Sequence, residues 1–152
     1  MTTRRQALRN GAALMSLLAT AGLIPRSAYA NWNNAAFEAK SVGDVLKALG
    51  GSAPVESKEV ALTAPNIAEN GAVVPMTVAT SLTGIKQLLV LVEKNPSALV
   101  AKFDVSDAVE ANFAVRAKMG QSSDVYAVAL ANDGKAYFTK KEVKVTLGGC
   151  GG

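Results

Sequence analysis

The sequence predicts an all-β domain with one short helix ahead of it, and three observations carry that reading. From residue 55 onward, Val-rich runs recur about every ten residues, with turn residues between them. None of the intervening stretches shows helical periodicity, whereas residues 35–49 do. Seven or eight strands within roughly a hundred residues fit two packed antiparallel sheets, with a closed barrel as the competing architecture. The class predicted is an immunoglobulin-like antiparallel β-sandwich with a short N-terminal helix. The paired cysteines of antibody domains are absent, since the chain has one Cys, so the apolar core alone must hold the sheets.

Residues 1–30 stand apart from that domain. They contain Arg4, Arg5, Arg9 and Arg26 and no acid. An apolar, Gly- and Ala-containing run from Gly11 to Ile24 follows, too short to span a bilayer. Ala28-Tyr29-Ala30 then forms a small-residue cleavage site, which places the cut after Ala30. Paired arginines ahead of such a run are the mark of twin-arginine export, and Ala7 stands where Phe is often found. An ordinary secretion signal is the alternative. Either route takes the mature chain out of the cytoplasm, and the twin-arginine route predicts a periplasmic protein exported folded.

The leader also explains the charge. The whole chain carries 16 Lys+Arg against 12 Asp+Glu, a formal +4, but four of the basic residues lie in the leader. The remaining 122 residues balance at 12 against 12. A neutral domain with 5% aromatic residues has neither the field nor the stacking platforms for nucleic acid, and no attraction to an anionic membrane.

In the mature chain, residues 31–147 form the predicted sandwich domain with its N-terminal helix. Phe37, Val42, Val45, Leu46 and Leu49 recur at three- and four-residue intervals, which predicts one amphipathic helix over 35–49. Gly50-Gly51 supplies its cap, and Pro54 cannot continue it. Strands are predicted at 60–62, 72–80, 86–93, 99–105, 112–119, 125–130, 136–139 and 143–147. Turns fall at Asn70-Gly71, Asn95-Pro96 and Asn132-Asp133-Gly134. Pro75 marks its strand as an edge or a bulge. Within 125–130, Val125, Ala127 and Ala129 face opposite to Tyr126, Val128 and Leu130. Met76 and Met119 read as apolar filler, Glu69 as solvated, and Trp32 and Tyr29 as flanks of the cleavage point.

The last strand runs into Gly148-Gly149-Cys150-Gly151-Gly152. Glycine lacks a Cβ, so residues 148–152 read as a flexible arm with no packing of its own. Three extended residues span about 10 Å, enough for the tip to enter another protein's cleft. One Cys and no His cannot close a soft metal site, so no metal or cofactor is expected. No base neighbours the thiol, and the terminal carboxylate disfavours the thiolate, so no catalytic residue is assigned. Two uses of Cys150 stay open on these grounds: covalent attachment of a substrate that other proteins process, or an intermolecular disulfide. Attachment is preferred, because a structural cross-link gains nothing from four glycines that are costly to order.

These residues together resemble the SoxY family, the sulfur-carrier subunits of bacterial thiosulfate-oxidising Sox systems. The resemblance is carried by the leader, the stretch from Ala64 to Pro75, the Val92-Glu93-Lys94-Asn95-Pro96 turn, the Ser123–Val128 strand and, most specifically, the terminal Gly-Gly-Cys-Gly-Gly. It implies a non-catalytic carrier that holds thiosulfate-derived sulfur on Cys150, with Gly148, Gly149, Gly151 and Gly152 as the joints of a swinging arm. It also implies partners: a SoxZ-like subunit forming a heterodimer, a c-type haem enzyme that couples thiosulfate to the thiol, a manganese thiosulfohydrolase, and a sulfane dehydrogenase. The stretch from Ala64 to Pro75 is read either as a partner surface or, preferably, as a tight turn at Asn70-Gly71 followed by strand core and edge. The competing function is an exported structural or adhesion sandwich that dimerises through Cys150. A carrier that uses a terminal Gly-Gly carboxylate, as ubiquitin-like carriers do, would need neither leader nor cysteine.

Overall fold

A computed structural model of the chain describes residues 3–6, 8, 10 and 33–146, in two compact units, Met1–Trp32 and Asn33–Gly152. In the first unit, Thr3 opens a helical turn. Its N–H and hydroxyl both donate to Gln6 Oε1, at 3.1 and 3.3 Å, and the Gln6 N–H donates back to the Thr3 carbonyl at 2.9 Å. Arg4 and Arg5 lie exposed in this turn. Among the described residues no helix is long and apolar enough to cross a membrane.

The second unit begins with two helices where one was expected, α1 (Asn34–Glu38) and α2 (Val42–Ala48). Capping chemistry breaks the run. Ala39 is extended (φ −65°, ψ 137°), and Ser41 caps α2 by accepting the Asp44 N–H at 3.1 Å while donating to Asp44 Oδ2 at 2.6 Å. Asn33 caps α1 by accepting the Ala36 N–H at 3.1 Å. The backbone freed at the break is used: the Ala39 carbonyl accepts from Ala98 N–H at 3.1 Å, and the Phe37 carbonyl from the Ser97 hydroxyl. Apolar spacing runs through the break because both helices pack on one sheet. At its end α2 closes as the sequence predicts, with Gly50 at φ 74° and the Gly51 N–H donating to the Leu46 carbonyl at 2.8 Å.

Nine strands follow among the described residues: β1 (Val55–Glu56), β2 (Val60–Thr63), β3 (Ile67–Ala68), β4 (Val74–Thr80), β5 (Ile85–Val92), β6 (Leu99–Asp104), β7 (Asn112–Ala117), β8 (Ser123–Ala131) and β9 (Ala136–Val145). They form a six-stranded sheet in the order β1-β9-β8-β5-β6, with β3 also on β9, and a three-stranded sheet in the order β2-β4-β7. Pairing is antiparallel except for β1 and β3, which run parallel to β9. The sheets face one another as a sandwich, and no barrel closes.

Several boundaries differ from expectation. The strands predicted at 136–139 and 143–147 are one ten-residue strand, β9. Lys140, Lys141 and Glu142 hide the join, because long charged side chains mask a strand pattern while their backbone continues the ladder opposite Tyr126, Val125 and Asp124. Strands β1 and β3 are too short for any period to show. Pro75 does not make β4 an edge strand, since β4 is the middle of its sheet. Its register with β2 covers only Thr77 to Thr80, so Pro75 sits beyond the end of β2, where no ladder bond is lost on that side.

The six-stranded sheet is buried on both faces. Leu88, Val90, Val92, Val125, Ala127 and Ala129 form one core with Val74, Met76 and Val78 of the facing sheet, and Met119 joins it. Leu89, Leu91, Val128 and Leu130 form a second core with Ala36, Val45 and Leu46 of the helices. The alternation read in 125–130 therefore sorts side chains between two cores. Both Met76 and Met119 are buried fillers, as expected.

Candidate functional site

Cys150 and the glycines at 148, 149, 151 and 152 lie outside the described residues, as does the cleavage point after Ala30. The described chain reaches Thr146, so the site is built up to the root from which the terminal segment departs. That root is made by the last three described residues. The β8 ladder ends at Ser123 opposite Val143, so Lys144, Val145 and Thr146 have no residue of strand β8 opposite them.

A different segment takes them. The Lys144 N–H donates to the Asn66 carbonyl at 3.0 Å and the Thr146 N–H to the Ala68 carbonyl at 3.1 Å, so β3 lies along the end of β9. Between them the Val145 N–H donates to Ser122 Oγ at 2.9 Å. The Thr146 hydroxyl adds long contacts of 3.5 Å to the Ala68 and Glu69 carbonyls.

The Asn70-Gly71 turn holds this segment in place. The Val73 N–H donates to the Asn70 carbonyl at 3.3 Å and the Ala72 N–H to Asn70 Oδ1 at 2.9 Å, as an Asn-led turn does. Gly71 is required here for space, not for an unusual φ: a Cβ would stand 2.5 Å from the Met119 carbonyl oxygen and 2.7 Å from Val145 Cγ1. The Gly71 carbonyl also accepts the Met119 N–H at 2.7 Å. Gly71→Ala should therefore lower stability by about 1–3 kcal/mol, because backbone rather than a side-chain tip must yield. Chemical denaturation measures it, and a midpoint unchanged from wild type would contradict the close approach.

The preferred reading of 64–75 holds for the turn, for buried Val74 and for exposed Glu69, but Val73 is half exposed and outside the strand. Ser122 and β3 were not read from the sequence. The only trace there is a short break, Gly120-Gln121-Ser122, before an alternating run. Exposed Ile67 and Val73 give the root an apolar rim. Beside the end of β2 lies an open groove of about 540 Å³ bordered by Thr63, Pro65, Pro75, Thr77 and Arg116. Further back along β9, Lys140 donates to Asp124 Oδ2 at 2.7 Å; this bond, and then the nearby Tyr126, hold its ammonium above the ordinary lysine range. Tyr126 is itself raised, first by burial and then by Glu93. No group of three or more His, Cys, Asp or Glu among the described residues could hold a metal ion. The described root can position a terminal segment.

Comparison with known proteins places this geometry. A family model described as "Sulfur oxidation protein SoxY" matches residues 45–150, a span that runs through the root to Cys150. Among solved structures, the sulfur carrier protein SoxY from Chlorobium limicola f thiosulfatophilum is similar at 39% identity and TM-score 0.63, covering 70% of this chain and 97% of that one. A superoxide reductase (neelaredoxin) variant from Ignicoccus hospitalis is similar at 16% identity and TM-score 0.51, covering 57% of this chain and 79% of that one. A second variant of that reductase reaches 15% identity and TM-score 0.51, over 70% of this chain and 90% of its own. The reductase likeness is one of fold alone. No curated protein matches the chain at a significant level.

Proposed function

The chain belongs to the SoxY family of sulfur-oxidation carrier proteins, and from that premise we propose that it works in the periplasm by holding thiosulfate-derived sulfur covalently on Cys150. The observation that carries the proposal is one of placement. The chain's single Cys, flanked by glycine pairs, lies four residues beyond Thr146, the last described residue, whose N–H is held by the Ala68 carbonyl. A thiol on such a tether can be presented to several enzymes in turn, while the domain supplies none of the catalysis.

The chemistry assigned to Cys150 balances without a cofactor in this chain. In the first step a bond forms between Cys150 Sγ and the terminal sulfur of thiosulfate, giving a Cys–S–S–SO₃⁻ adduct. The thiol proton leaves to solvent and two electrons pass to a c-type haem partner. In the second step water attacks the sulfonate sulfur, the S–SO₃ bond breaks, sulfate leaves, and a persulfide remains on Cys150; a manganese thiosulfohydrolase supplies the metal. A sulfane dehydrogenase is the partner proposed for the sulfur left behind. A SoxZ-like subunit is proposed as the stable companion, and the twin-arginine leader as the route by which the folded pair is exported.

Intact-mass and peptide-mass measurement on protein from thiosulfate-grown cells tests this. The expected result is a set of sulfur adducts confined to the peptide that contains Cys150. A thiol there that stays unmodified, or is found only as a disulfide between two copies, would overturn the carrier assignment in favour of the structural one.

A further inference from the structure

We propose that the segment from Asn66 to Gly71 is a brace that fixes where the arm begins, and so sets how far Cys150 can reach. The proposal deepens the carrier reading and rests on it for the use to which the reach is put. Three facts carry it. First, the β8 ladder stops at Val143, so three residues before the arm would otherwise extend it. Second, the N–H groups of Lys144, Val145 and Thr146 are all taken, by the Asn66 carbonyl, Ser122 Oγ and the Ala68 carbonyl at 3.0, 2.9 and 3.1 Å. Third, among the described residues β3 has no ladder partner other than β9, and its Ile67 is 57% exposed, so this segment's described backbone pairing goes to the end of that strand.

Holding the root at Thr146 leaves four residues to Cys150, a reach of about 14 Å at full extension. Release of Lys144, Val145 and Thr146 would set the pivot back along extended β9 by about 10 Å and lengthen the tether by as much, so the tip would sweep a wider arc without reaching farther along the strand. A longer tether also dilutes its own tip. Lengthening the tether to the thiol from four residues (147–150) to seven (144–150) lowers the effective concentration of the thiol at a docked partner roughly twofold, by the −3/2 power of length. The brace thus favours partners that dock against the sandwich end with a shallow site. Ser122, and Gly71 through its contact with Val145, act as positioning residues.

The test uses the full-length protein with nitroxides on Cys150 and on an introduced cysteine at exposed Glu56 (Glu56→Cys), comparing the wild-type root with the double variant Ser122→Ala/Thr146→Pro. Proline at 146 removes the N–H that reaches Ala68, and the extended conformation it asks of Val145 is the one β9 already has. Pulsed EPR should show a broader distribution in the variant with new population at shorter distances, because β9 is already extended and Glu56 pairs with Phe138 near its other end, so the longest distance cannot grow. Amide exchange at Lys144 and Val145 should be slow in the unlabelled wild type, as at Val143, and fast in the variant. Wild-type amides at Lys144 and Thr146 that exchange like an unstructured tail would overturn the brace with no variant involved. So would a distance distribution unchanged by the double variant. A Cys150 that never carries sulfur overturns the carrier reading, and the EPR and exchange results, which need no sulfur chemistry, still decide the brace.

Discussion

Cys150→Ser is expected to abolish thiosulfate-dependent electron transfer to the haem partner while leaving thermal unfolding of the sandwich where it was. A serine hydroxyl forms no bond to sulfur that the hydrolytic step could release as a persulfide, and the chain has no second thiol to take over. The fold should be indifferent, because the buried residues of both cores lie between Ala36 and Val143. Reconstitution with the native partners, following reduction of the c-type haem, reads the first half; a melting curve reads the second. Turnover above background in the serine variant would show that the sulfur is carried elsewhere.

The largest stability effects are expected from two neighbouring residues on β5. Leu88 and Leu89 are both fully buried, yet they belong to different cores, Leu88 facing the three-stranded sheet and Leu89 the helices. Leu88→Ala and Leu89→Ala should each cost about 2–5 kcal/mol, because each leaves a cavity that the surrounding layers cannot close. In a sandwich whose outer face met water, one of the two would sit at the surface and cost less than about 0.5 kcal/mol. Urea unfolding of the two single variants makes the comparison. A small effect for Leu89→Ala would mean that α1 and α2 do not seal the sheet.

That three-layer burial was partly legible in advance. Leu88-Leu89-Val90-Leu91-Val92 is a continuous apolar run, the pattern of a strand covered on both faces, and the apolar stripe from Phe37 to Leu49 is what the structure lays over it, although the spacing alone named no partner for that stripe. The cap at Gly50, the Asn132-Asp133-Gly134 turn with Gly134 at φ 84°, and the alternation in 125–130 also lie where local chemistry put them. The break at Ala39 was hidden because apolar periodicity reports which face is buried, not whether the backbone is continuous. Ser41 followed three residues later by Asp44 is the feature that could have exposed it. Strand β3 could not be found from residues 67 and 68 alone, since two residues have no period and their partner lies 77 positions away. The terminal motif reads as a tether by composition and lies outside the described residues, whereas the bonds that hold Lys144, Val145 and Thr146, from the Asn66 carbonyl, Ser122 and the Ala68 carbonyl, are purely tertiary.

The placement of β1 and β3 has one more consequence, for self-association. Without them β9 would be a ten-residue outer strand with its far side unpaired, a template on which another extended chain could grow. β1 covers Tyr137 and Phe138 at one end, and β3 covers Lys144 and Val145 at the other. The stretch left uncovered between them contains Lys140, Lys141 and Glu142, whose charges make further strand addition unfavourable. A short strap at each end and a charged middle leave the protein resistant to aggregation along this border.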